Sequence, residues 1–413
     1  MAQPLVFENA RILDGSSPEG EYDRFVRVAN GAIEEVSERP IKDASARRVD
    51  LKGKTLMPGL IDCHVHVIAA LVDLGKNANL PDALIAYHAA AIMKTMLHRG
   101  FTTVRDLGGA SHALVEALEQ GLVAGPRLII CGKALSQTGG HADFRGRYYN
   151  RDPYYQTRRL GALGRVVDGV DDCRRAARDE IRQGAQFIKV MANGGVASPT
   201  DPIAFLGFSK EELSAAVEEA RNAQTYVAAH LYTDEAIARA VEVGVRSVEH
   251  ANLIEPPTAA LMKTKGAIAC PTLVAFEALK SEGESLGLPP ESVRKIDDVR
   301  VRSPESLEIM HRAGVTMAYG TDLLGPLHRH QSEEFVIRGR VLPAIEVIRS
   351  ATVHAAALIG MAGKIGTVAR GALADLIVID GDPLADLSLL TGQGRNIPII
   401  VQGGNLIKNE INM

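Results

Sequence analysis

The stretch MPGLIDCHVHV, residues 57–67, combines a Pro-Gly turn, an apolar run and two histidines one residue apart. The apolar run after the turn predicts a buried β-strand over residues 60–67. Alternate residues of a strand lie on the same face, so His64 and His66 point to one side. Such a pair can arise by accident in a chain with 12 histidines, and residues 328–330 contain a second one. The rest of the chain must decide whether the first pair binds a metal.

The segments that follow alternate between short apolar runs and amphipathic stretches, which is the pattern of βα units in a parallel sheet. One amphipathic stretch, SKEELSAAVEEARNAQ, begins with Ser209 and has Glu212 three residues later, the capping-box signature of a helix start. Eight units over roughly 250 to 300 residues are what a (β/α)8 TIM barrel requires. We therefore predict an α/β protein whose residues 59–365 form such a barrel. Its predicted strands are 60–67, 102–108, 127–135, 187–193, 226–232, 247–252, 267–274 and 316–322.

The two ends of the chain differ from this middle part. Residues 1–58 read as short strands with turns, as in VFENARILDG, and residues 366–413 do the same, as in GTVARGALADLIVIDGDP. Neither end is large enough to bury a good core alone. We predict one small β-sandwich domain that both termini build beside the barrel.

Composition and charge argue against several classes of partner. The chain has 413 residues, 46% of them hydrophobic, and a net charge of −4 without a long run of one sign, so we expect no nucleic-acid partner. No stretch of about 18 apolar residues occurs, so we expect no membrane span. The N-terminus lacks a signal-peptide pattern, which predicts a cytoplasmic protein or a mature secreted or periplasmic form whose signal peptide was removed. The four separated cysteines are expected to be buried reduced thiols.

Side chains that can bind metal lie near the carboxyl ends of five predicted strands. Active sites of (β/α)8 barrels lie at that end of the strands. A single histidine in a strand is commonly a core residue, whereas a buried unpaired lysine is unfavourable and harder to explain by packing. Six such groups at one end of one barrel favour a metal site. The six are His64, His66, Lys189, His230, His250 and Asp322.

The residue types define the chemistry of this predicted site. Four histidines and one aspartate suit zinc or a similar divalent ion. An ammonium group has no lone pair, so Lys189 joins them only if its amine has reacted with CO2 to give a carbamate, a bidentate anionic bridge. Two metal ions about 3.5–4 Å apart share a hydroxide and clamp a scissile carbonyl group. We predict two divalent metal ions, with zinc expected, and assign to Asp322 the proton transfer from this hydroxide to the leaving amine.

Five motifs together resemble the amidohydrolase superfamily of the binuclear-metal type: PGLIDCHVH, FIKVMANGG, AAHLYTDEAI, VEHAN and YGTD. The resemblance covers essentially the whole chain, including the domain built from both termini. Every ligand position is filled, which argues against a non-catalytic member. The implied ligand sets are His64, His66, Lys189 and Asp322 for the first ion and Lys189, His230 and His250 for the second, with carboxylated Lys189 as the bridge.

Three further stretches are similar to one branch of this superfamily, the prolidase-like metallocarboxypeptidases and the ochratoxin A-hydrolysing amidohydrolases. They are LSQTGGHAD (135–143), HLYTDEAI (230–237) and GTDLLGPLHRHQSEEF (320–335). The likeness implies that His141 contacts the reacting carbonyl group and that Tyr232 binds the free α-carboxylate of the substrate. It also implies that the loop after the seventh strand shapes the pocket for the C-terminal residue. A surface histidine and a half-buried phenol are the alternative interpretations of these two residues.

The segment from Ser136 to about Gly169 is long for a barrel connection. Long loops in compact domains are commonly functional or disordered. A lid over the site and a subunit contact both fit its composition, and together with the resemblance it suggests a homo-oligomer such as an octamer. Its arginine and tyrosine residues are Arg145, Arg147, Tyr148, Tyr149, Tyr154, Tyr155, Arg158 and Arg159.

These features predict a metal-dependent amidohydrolase that cleaves an amide bond next to a free α-carboxylate. Its small-molecule substrates would be N-acyl amino acids such as ochratoxin A, or dipeptides of the Xaa-Pro type. The alternative is a cyclic-amide hydrolase of the imidazolonepropionase or hydantoinase kind, in which His141 and Tyr232 would have other duties. A one-metal deaminase would do without the bridging Lys189, which argues against that class.

Overall fold

The computed structural model describes residues 3–146, 148–149, 152, 154–198 and 200–411. The strands are β1 (Leu5–Ile12), β2 (Glu21–Ala29), β3 (Ala32–Ser37), β4 (Arg47–Asp50), β5 (Thr55–Pro58), β6 (Leu60–Val65), β7 (Phe101–Asp106), β8 (Arg127–Ile130), β9 (Ala134–Ser136), β10 (Gly164–Val166), β11 (Ile188–Met191), β12 (Val227–Thr233), β13 (Ser247–Leu253), β14 (Ile268–Cys270), β15 (Leu376–Ile379), β16 (Ile399–Gln402) and β17 (Asn405–Asn409). The α-helices are α1 (Leu74–Asn77), α2 (Asp82–His98), α3 (His112–Glu119), α4 (Tyr154–Thr157), α5 (Val170–Arg182), α6 (Lys210–Asn222), α7 (Asp234–Val243), α8 (Pro256–Lys265), α9 (Leu273–Ala278), α10 (Pro290–Arg300), α11 (Ser303–Arg312), α12 (Glu333–Gly339), α13 (Ala344–Ser350) and α14 (Val353–Leu358). No helix within the described ranges is long and apolar enough to cross a membrane.

Both ends of the chain contribute to one mixed sheet of eight strands. Seven of them follow the order β17-β16-β15-β5-β1-β2-β3, and β4 pairs with the first half of β1. The two ends meet in the antiparallel pair of β15 and β5. Side chains such as Phe7, Val26 and Leu376 are fully buried in an apolar cluster of this sheet. Strands from residues 1–58 and 366–413 thus fold together, while the domain limits and the second layer of a sandwich stay predictions.

The middle of the chain forms parallel strands with helices between them. One sheet has the order β6-β7-β8 and the other the order β10-β9-β11-β12-β13-β14, and the pairings in both are parallel. All residues of β6 are buried, as expected for a strand that is covered on both faces. The capping box predicted for α6 is present, because Ser209 and Glu212 cap each other's backbone N–H groups. Helical connections between parallel strands bring the carboxyl ends of the strands to one side.

The predicted eighth strand, residues 316–322, is not a regular strand. Among the described residues its pairing with β14 is reduced to a single bridge. It nevertheless connects the two parallel sheets, because the Ala318 N–H donates to β14 (2.8 Å) and the Tyr319 carbonyl accepts from the Cys63 N–H of β6 (2.7 Å). The segment ends at Asp322, whose φ of 52° lies in the left-handed region and turns the chain out of the extended conformation.

Two other predicted strands differ from the structure more than the remaining five, whose limits agree within two residues. The predicted strand 127–135 is divided into β8 and β9 at Gly132, whose φ of 67° is incompatible with a strand. The predicted strand 267–274 stops at Cys270, and α9 begins at Leu273. The chain therefore leaves the sheet earlier than its apolar pattern predicts.

Candidate metal centre

The six predicted metal ligands line one pocket at the carboxyl ends of the parallel strands. His141 and Tyr232 line the same pocket, so the structure brings all eight predicted site residues together. A concave, largely apolar site with a few converging polar groups is the usual form of a small-molecule site. The rest of the lining is apolar and consists of Leu74, Phe144, Leu163, Met191, Val196, Ala197, Phe276, Leu279 and Leu324.

Asp322 lies at the centre of the candidate ligands. Its Oδ1 is 3.3 Å from Nε2 of His64 and 3.1 Å from Nε2 of His66, and its Oδ2 is 4.0 Å from Nδ1 of His250. Burial raises the pKa of Asp322, but the charge of His64 and the hydrogen bonds from His64 and His66 outweigh burial and hold the pKa well below its usual range. The carboxylate is therefore ionised, as a metal ligand must be.

The backbone is strained at two of these residues. His250 has a φ of 72° and Asp322 a φ of 52°, in the left-handed region that residues other than glycine rarely adopt. Such conformations cost roughly 1–3 kcal/mol each and cluster at functional sites. Asp322 lies where an extended segment ends at the pocket, and His250 lies within β13 where its register with β12 shifts, which is consistent with a backbone shaped to present their side chains.

Each of the four histidines uses one ring nitrogen to contact a group outside the candidate ligand set, which leaves its other nitrogen for the metal; in His64 and His66 that nitrogen, Nε2, lies beside the candidate ligand Asp322. Metal-binding histidines typically have such a second partner, which fixes the ring. Burial lowers the pKa of His230 and of His250 well below the usual range, so both rings are neutral and able to bind metal. The contacts are His64 Nδ1 with Glu249 (2.9 Å), His66 Nδ1 with the Gly108 carbonyl (3.3 Å), His230 Nε2 with the Gly194 carbonyl (3.2 Å) and His250 Nδ1 with Thr272 Oγ1 (2.7 Å).

Glu249, which the sequence analysis did not single out, supports His64 from the side away from Asp322. Its second carboxylate oxygen accepts hydrogen bonds from Nη2 of Arg105 (2.8 Å) and from the hydroxyl of Ser247, and all three side chains are fully buried. Burial raises the pKa of Glu249, but the charge of Arg105 outweighs this effect and lowers the pKa overall. The sequence did contain a signal, because Glu249 and Arg105 are charged residues inside strands that are otherwise largely apolar.

Lys189 is 1% exposed and lines the pocket. Burial lowers its pKa, although the charges of Glu249 and Asp322 oppose this effect. A buried ammonium group is unfavourable unless acids compensate for it. Burial therefore favours the neutral amine, which is the form that reacts with CO2.

His141 and Tyr232 flank His230 on two sides. The ring of His141 stacks on His230 with 4.0 Å between ring centroids, and the ring of Tyr232 meets it edge-on at 4.5 Å. His141 is 8% exposed and Tyr232 is 2% exposed, so they are neither a surface histidine nor a half-buried phenol. Burial raises the pKa of Tyr232 well above its usual range, so the phenol keeps its proton and can donate a hydrogen bond.

Asn193, which the sequence did not mark as a site residue, holds the end of β12. Its Oδ1 accepts the backbone N–H groups of Tyr232 (2.7 Å) and Thr233 (2.8 Å). Its Nδ2 donates to the carbonyls of Ile203 (2.9 Å) and Phe205 (2.7 Å). One amide side chain thus joins the strand that carries two site residues to the loop that follows β11.

The long segment 136–169 contributes His141, Phe144 and Leu163 to the pocket. It also contains α4 and β10. Arg147, which the sequence analysis counted among its arginines, lies outside the described residues. The role of this segment as a lid or a subunit contact stays a prediction.

Parallel strands joined by helices, with histidines, a lysine and an aspartate around one pocket at their carboxyl ends, define a class of α/β proteins with a candidate metal centre. The chain belongs to the amidohydrolase family, whose sequence model matches residues 55–406. Metal ions are general in this family, which agrees with the grouping of His64, His250 and Asp322, whose ligand atoms lie within 4.8 Å of one another.

Three known proteins are similar over most of the chain. One solved amidohydrolase structure has 51% sequence identity and a TM-score of 0.97, covering 99% of this chain and 100% of that chain. A solved prolidase structure complexed with N-methylphosphonate-L-proline has 48% sequence identity and a TM-score of 0.97, covering 98% of this chain and 100% of that chain. Ochratoxinase from Aspergillus niger is 33% identical over 369 residues, which are 86% of this chain and 75% of that protein. The family and these relatives identify the chain as a hydrolase that acts on amide or peptide bonds.

Proposed function

We propose that this enzyme hydrolyses an amide bond next to a free α-carboxylate, in N-acyl amino acids such as ochratoxin A or in Xaa-Pro dipeptides. One observation carries the proposal: Tyr232 is a buried, protonated donor, 4.5 Å by ring centroids from the candidate ligand His230, in a lining that is otherwise apolar outside the candidate ligands and His141. In such substrates the carboxylate carbon is two bonds from the amide nitrogen. A carboxylate bound by Tyr232 therefore keeps the scissile amide close to the candidate metal ligands.

The donor set fits two divalent metal ions, because nitrogen and carboxylate ligands suit zinc and each histidine retains a nitrogen for the metal. When bound, two such ions activate water for attack and polarise the substrate carbonyl. A carbamate on Lys189 would supply the anionic bridge between them. The proposed ligands are His64, His66, Lys189 and Asp322 for one ion and Lys189, His230 and His250 for the other.

Two side chains complete the reaction. Asp322 is ionised and accepts the proton of the attacking water, which it then passes to the leaving amine. His141 has its Nδ1 occupied by Ser198 at 2.7 Å, which leaves Nε2 for the oxygen of the reacting carbonyl. Each step therefore has a side chain of suitable chemistry at the pocket.

The comparisons support both the substrate class and the architecture that we propose. A compound named as a phosphonate on the nitrogen of L-proline is bound to the similar prolidase, and ochratoxinase is a second relative. We also propose that the parallel strands close into a (β/α)8 barrel beside a two-layer β-sandwich. The segment 316–322 connects the two parallel sheets, and the TM-score to a solved amidohydrolase is 0.97.

The test is a release assay on a panel of N-acyl amino acids, Xaa-Pro dipeptides and ochratoxin A, with the metal content measured on the same sample. We expect release of the C-terminal amino acid and two metal ions per chain. Cyclic amides of the imidazolonepropionase and hydantoinase kinds belong in the same panel. The proposal is wrong if these are hydrolysed faster than every substrate with a free α-carboxylate.

A further inference from the structure

We propose that Lys295 is a positioning residue for His141 and that it acts through three backbone carbonyls of one loop. Lys295 lies on α10, which is not part of the pocket lining. The inference rests on the contact between His141 and the substrate carbonyl proposed above. It adds a residue from a distant part of the chain to that function.

The ammonium group of Lys295 is fully engaged. It donates hydrogen bonds to the carbonyls of Gly195, Ser198 (2.7 Å) and Asp201 (3.1 Å). An ammonium group has three N–H donors, so each carbonyl takes one of them. Burial lowers the pKa of Lys295, and the Asp201 carboxylate opposes that effect. Lys295 thus joins α10 to three points of the loop that follows β11.

The same three residues contact the ring of His141. Gly195 lies so close that a Cβ placed on it would be 1.8 Å from Nδ1 of the histidine. Ser198 Oγ is 2.7 Å and Asp201 Oδ2 is 3.5 Å from that nitrogen. Asp201 Oδ2 also accepts the N–H of Gly195 (2.8 Å), which closes the loop on itself. One lysine therefore holds the backbone of the three loop residues that contact the imidazole.

The position of the His141 ring matters because the ring also contacts His230, a candidate metal ligand. The ring of His141 stacks on His230 with 4.0 Å between centroids, so it is held between the loop and a candidate metal ligand. A misplacement of about 1 Å in a reacting group can lower a rate about 100-fold. Without Lys295 the loop keeps its other hydrogen bonds, so we expect a smaller loss of about tenfold, mainly in kcat.

The experiment separates this role from a general effect on stability. Lys295→Met keeps the aliphatic stem and removes the donors, and Lys295→Arg keeps the charge. The matched control is Arg294→Met on the same helix. The Arg294 side chain is 70% exposed, and its ion pair with Glu291 is long, at 4.0 Å, so little should depend on it. Each variant is assayed as the metal-loaded enzyme, with its metal content measured, on the panel substrate that the wild type hydrolyses fastest.

We expect Lys295→Met to lower kcat about tenfold with little change in KM, Lys295→Arg to recover most of the loss, and Arg294→Met to match the wild type. In a His141→Ala background, Lys295→Met should cause almost no further loss, because residues that act through one contact are not additive. A merely structural role would lower kcat by the same factor in both backgrounds.

Three results would overturn the inference. They are an equal loss in both backgrounds, a kcat of Lys295→Met within about twofold of the wild type, and a His141→Ala variant with unchanged activity. A wild type without any preference for an α-carboxylate contradicts the proposed function instead. The comparison of Lys295→Met in the wild-type and His141→Ala backgrounds remains informative in that case, because it uses whichever substrate is hydrolysed fastest.

Discussion

Asp322 shares the pocket with six basic side chains, five histidines and Lys189. If these bases were protonated, like charges would be close together in a buried environment, where Coulomb repulsion is weakly screened. In the neutral state each base offers a lone pair instead. At the scale of single residues, burial therefore lowers the pKa of His230, His250 and Lys189 and favours their neutral forms, which bind metal. Burial also lowers the pKa of His64, but the charge of Asp322 outweighs it and raises this pKa, so a metal ion must displace a proton there.

The carbamate on Lys189 is tested by metal analysis. Lys189→Ala removes the bridge, so we expect fewer than two metal ions per chain after dialysis and a loss of most activity. Lys210→Ala is the control, because the Lys210 side chain is 54% exposed and pairs with a surface glutamate. If Lys189→Ala retains two metal ions and full activity, the bridge is wrong.

Proton transfer by Asp322 is tested with Asp322→Asn. The amide is similar in shape but cannot accept a proton, and general acid-base groups contribute about 10²–10⁴-fold to rates. We expect kcat to fall by at least about 100-fold, while part of the metal content remains. Turnover close to that of the wild type, measured at equal metal content, would remove Asp322 from the mechanism.

Recognition of the α-carboxylate by Tyr232 is tested with matched acid and amide substrates. A charge-assisted hydrogen bond from a buried phenol contributes roughly 1.5–3 kcal/mol, so amidation of the carboxylate should lower kcat/KM by about 10- to 100-fold. Tyr232→Phe should cost a similar factor with the acid and almost nothing further with the amide. Equal losses with both substrates would contradict the contact and favour the cyclic-amide alternative.

The strands could be predicted where their information is local, at the scale of single elements. LIDCHV forms β6 because a turn and an apolar run are enough to specify a buried strand. Residues 316–322 have a similar pattern but are held mainly by tertiary contacts: Thr321 Oγ1 donates to Asp62 at 2.7 Å, across 259 positions of sequence. Asp322 then leaves the extended conformation. Contacts of this kind have no periodicity, so the sequence could not reveal them.

The difference between local sequence information and contacts between distant residues also explains which site residues could be predicted. The candidate ligands lie in short motifs with recognisable residue types, and the structure places all of them around one pocket. The supporting residues Glu249, Asn193 and Lys295 act through contacts with distant parts of the chain. A charged or amide residue does not by itself indicate its partner, so the supporting roles of these three residues were missed.

Asp62 offers a test at this scale, because it joins β6 to the segment 316–322. It accepts the N–H of His64 (3.1 Å), the hydroxyl of Thr321 (2.7 Å) and Nε2 of Gln331 (2.9 Å). Asp62→Ala leaves these buried donors without their acceptor, which costs about 1–3 kcal/mol for each unsatisfied group. We expect the protein to be destabilised by about 3 kcal/mol or more in urea unfolding after metal removal.

The control for this measurement is Asp380→Ala. The Asp380 side chain is 61% exposed and pairs with Lys54 at the surface, so its loss should cost less than about 1 kcal/mol. Equal urea midpoints for the two variants would show that Asp62 does not hold the segment in place.

At the scale of the whole molecule, the sheet built by both termini packs where it does not obstruct the pocket. Arg127, the first residue of β8, donates to Asp375 at 2.6 Å. Nε2 of Gln402, in β16, donates to the carbonyl of Thr102 (3.0 Å) near the start of β7. Both contacts lie at the amino ends of the parallel strands, and the pocket lies at their carboxyl ends. The terminal sheet therefore supports the parallel strands from the side opposite the site.

Assembly is the prediction that belongs to this scale, and we propose a homo-oligomer, for which the resemblance suggests an octamer. Leu84 is 42% exposed and Tyr87 is 77% exposed, three residues apart on α2. Tyr154 and Tyr155 of α4, in the Arg- and Tyr-rich segment 136–169, are 44% and 39% exposed. Leu160, just after α4, donates its N–H to Asp82 at the start of α2 (3.0 Å), which connects the segment around α4 to α2. Exposed aromatic groups of this kind are typical of interfaces.

Light scattering of the wild type at working concentration should give a multiple of the chain mass of 44.2 kDa. Tyr87→Glu places a charge on the exposed face of α2, where burial without a partner would be unfavourable, so the mass should fall. Tyr22→Glu is the control, because Tyr22 is 59% exposed but lies on β2 in the terminal sheet. A wild-type mass near 44.2 kDa would reject the oligomer. An oligomer that dissociates only with Tyr22→Glu would move the interface to the terminal sheet, because a charge acts only on the surface that it enters.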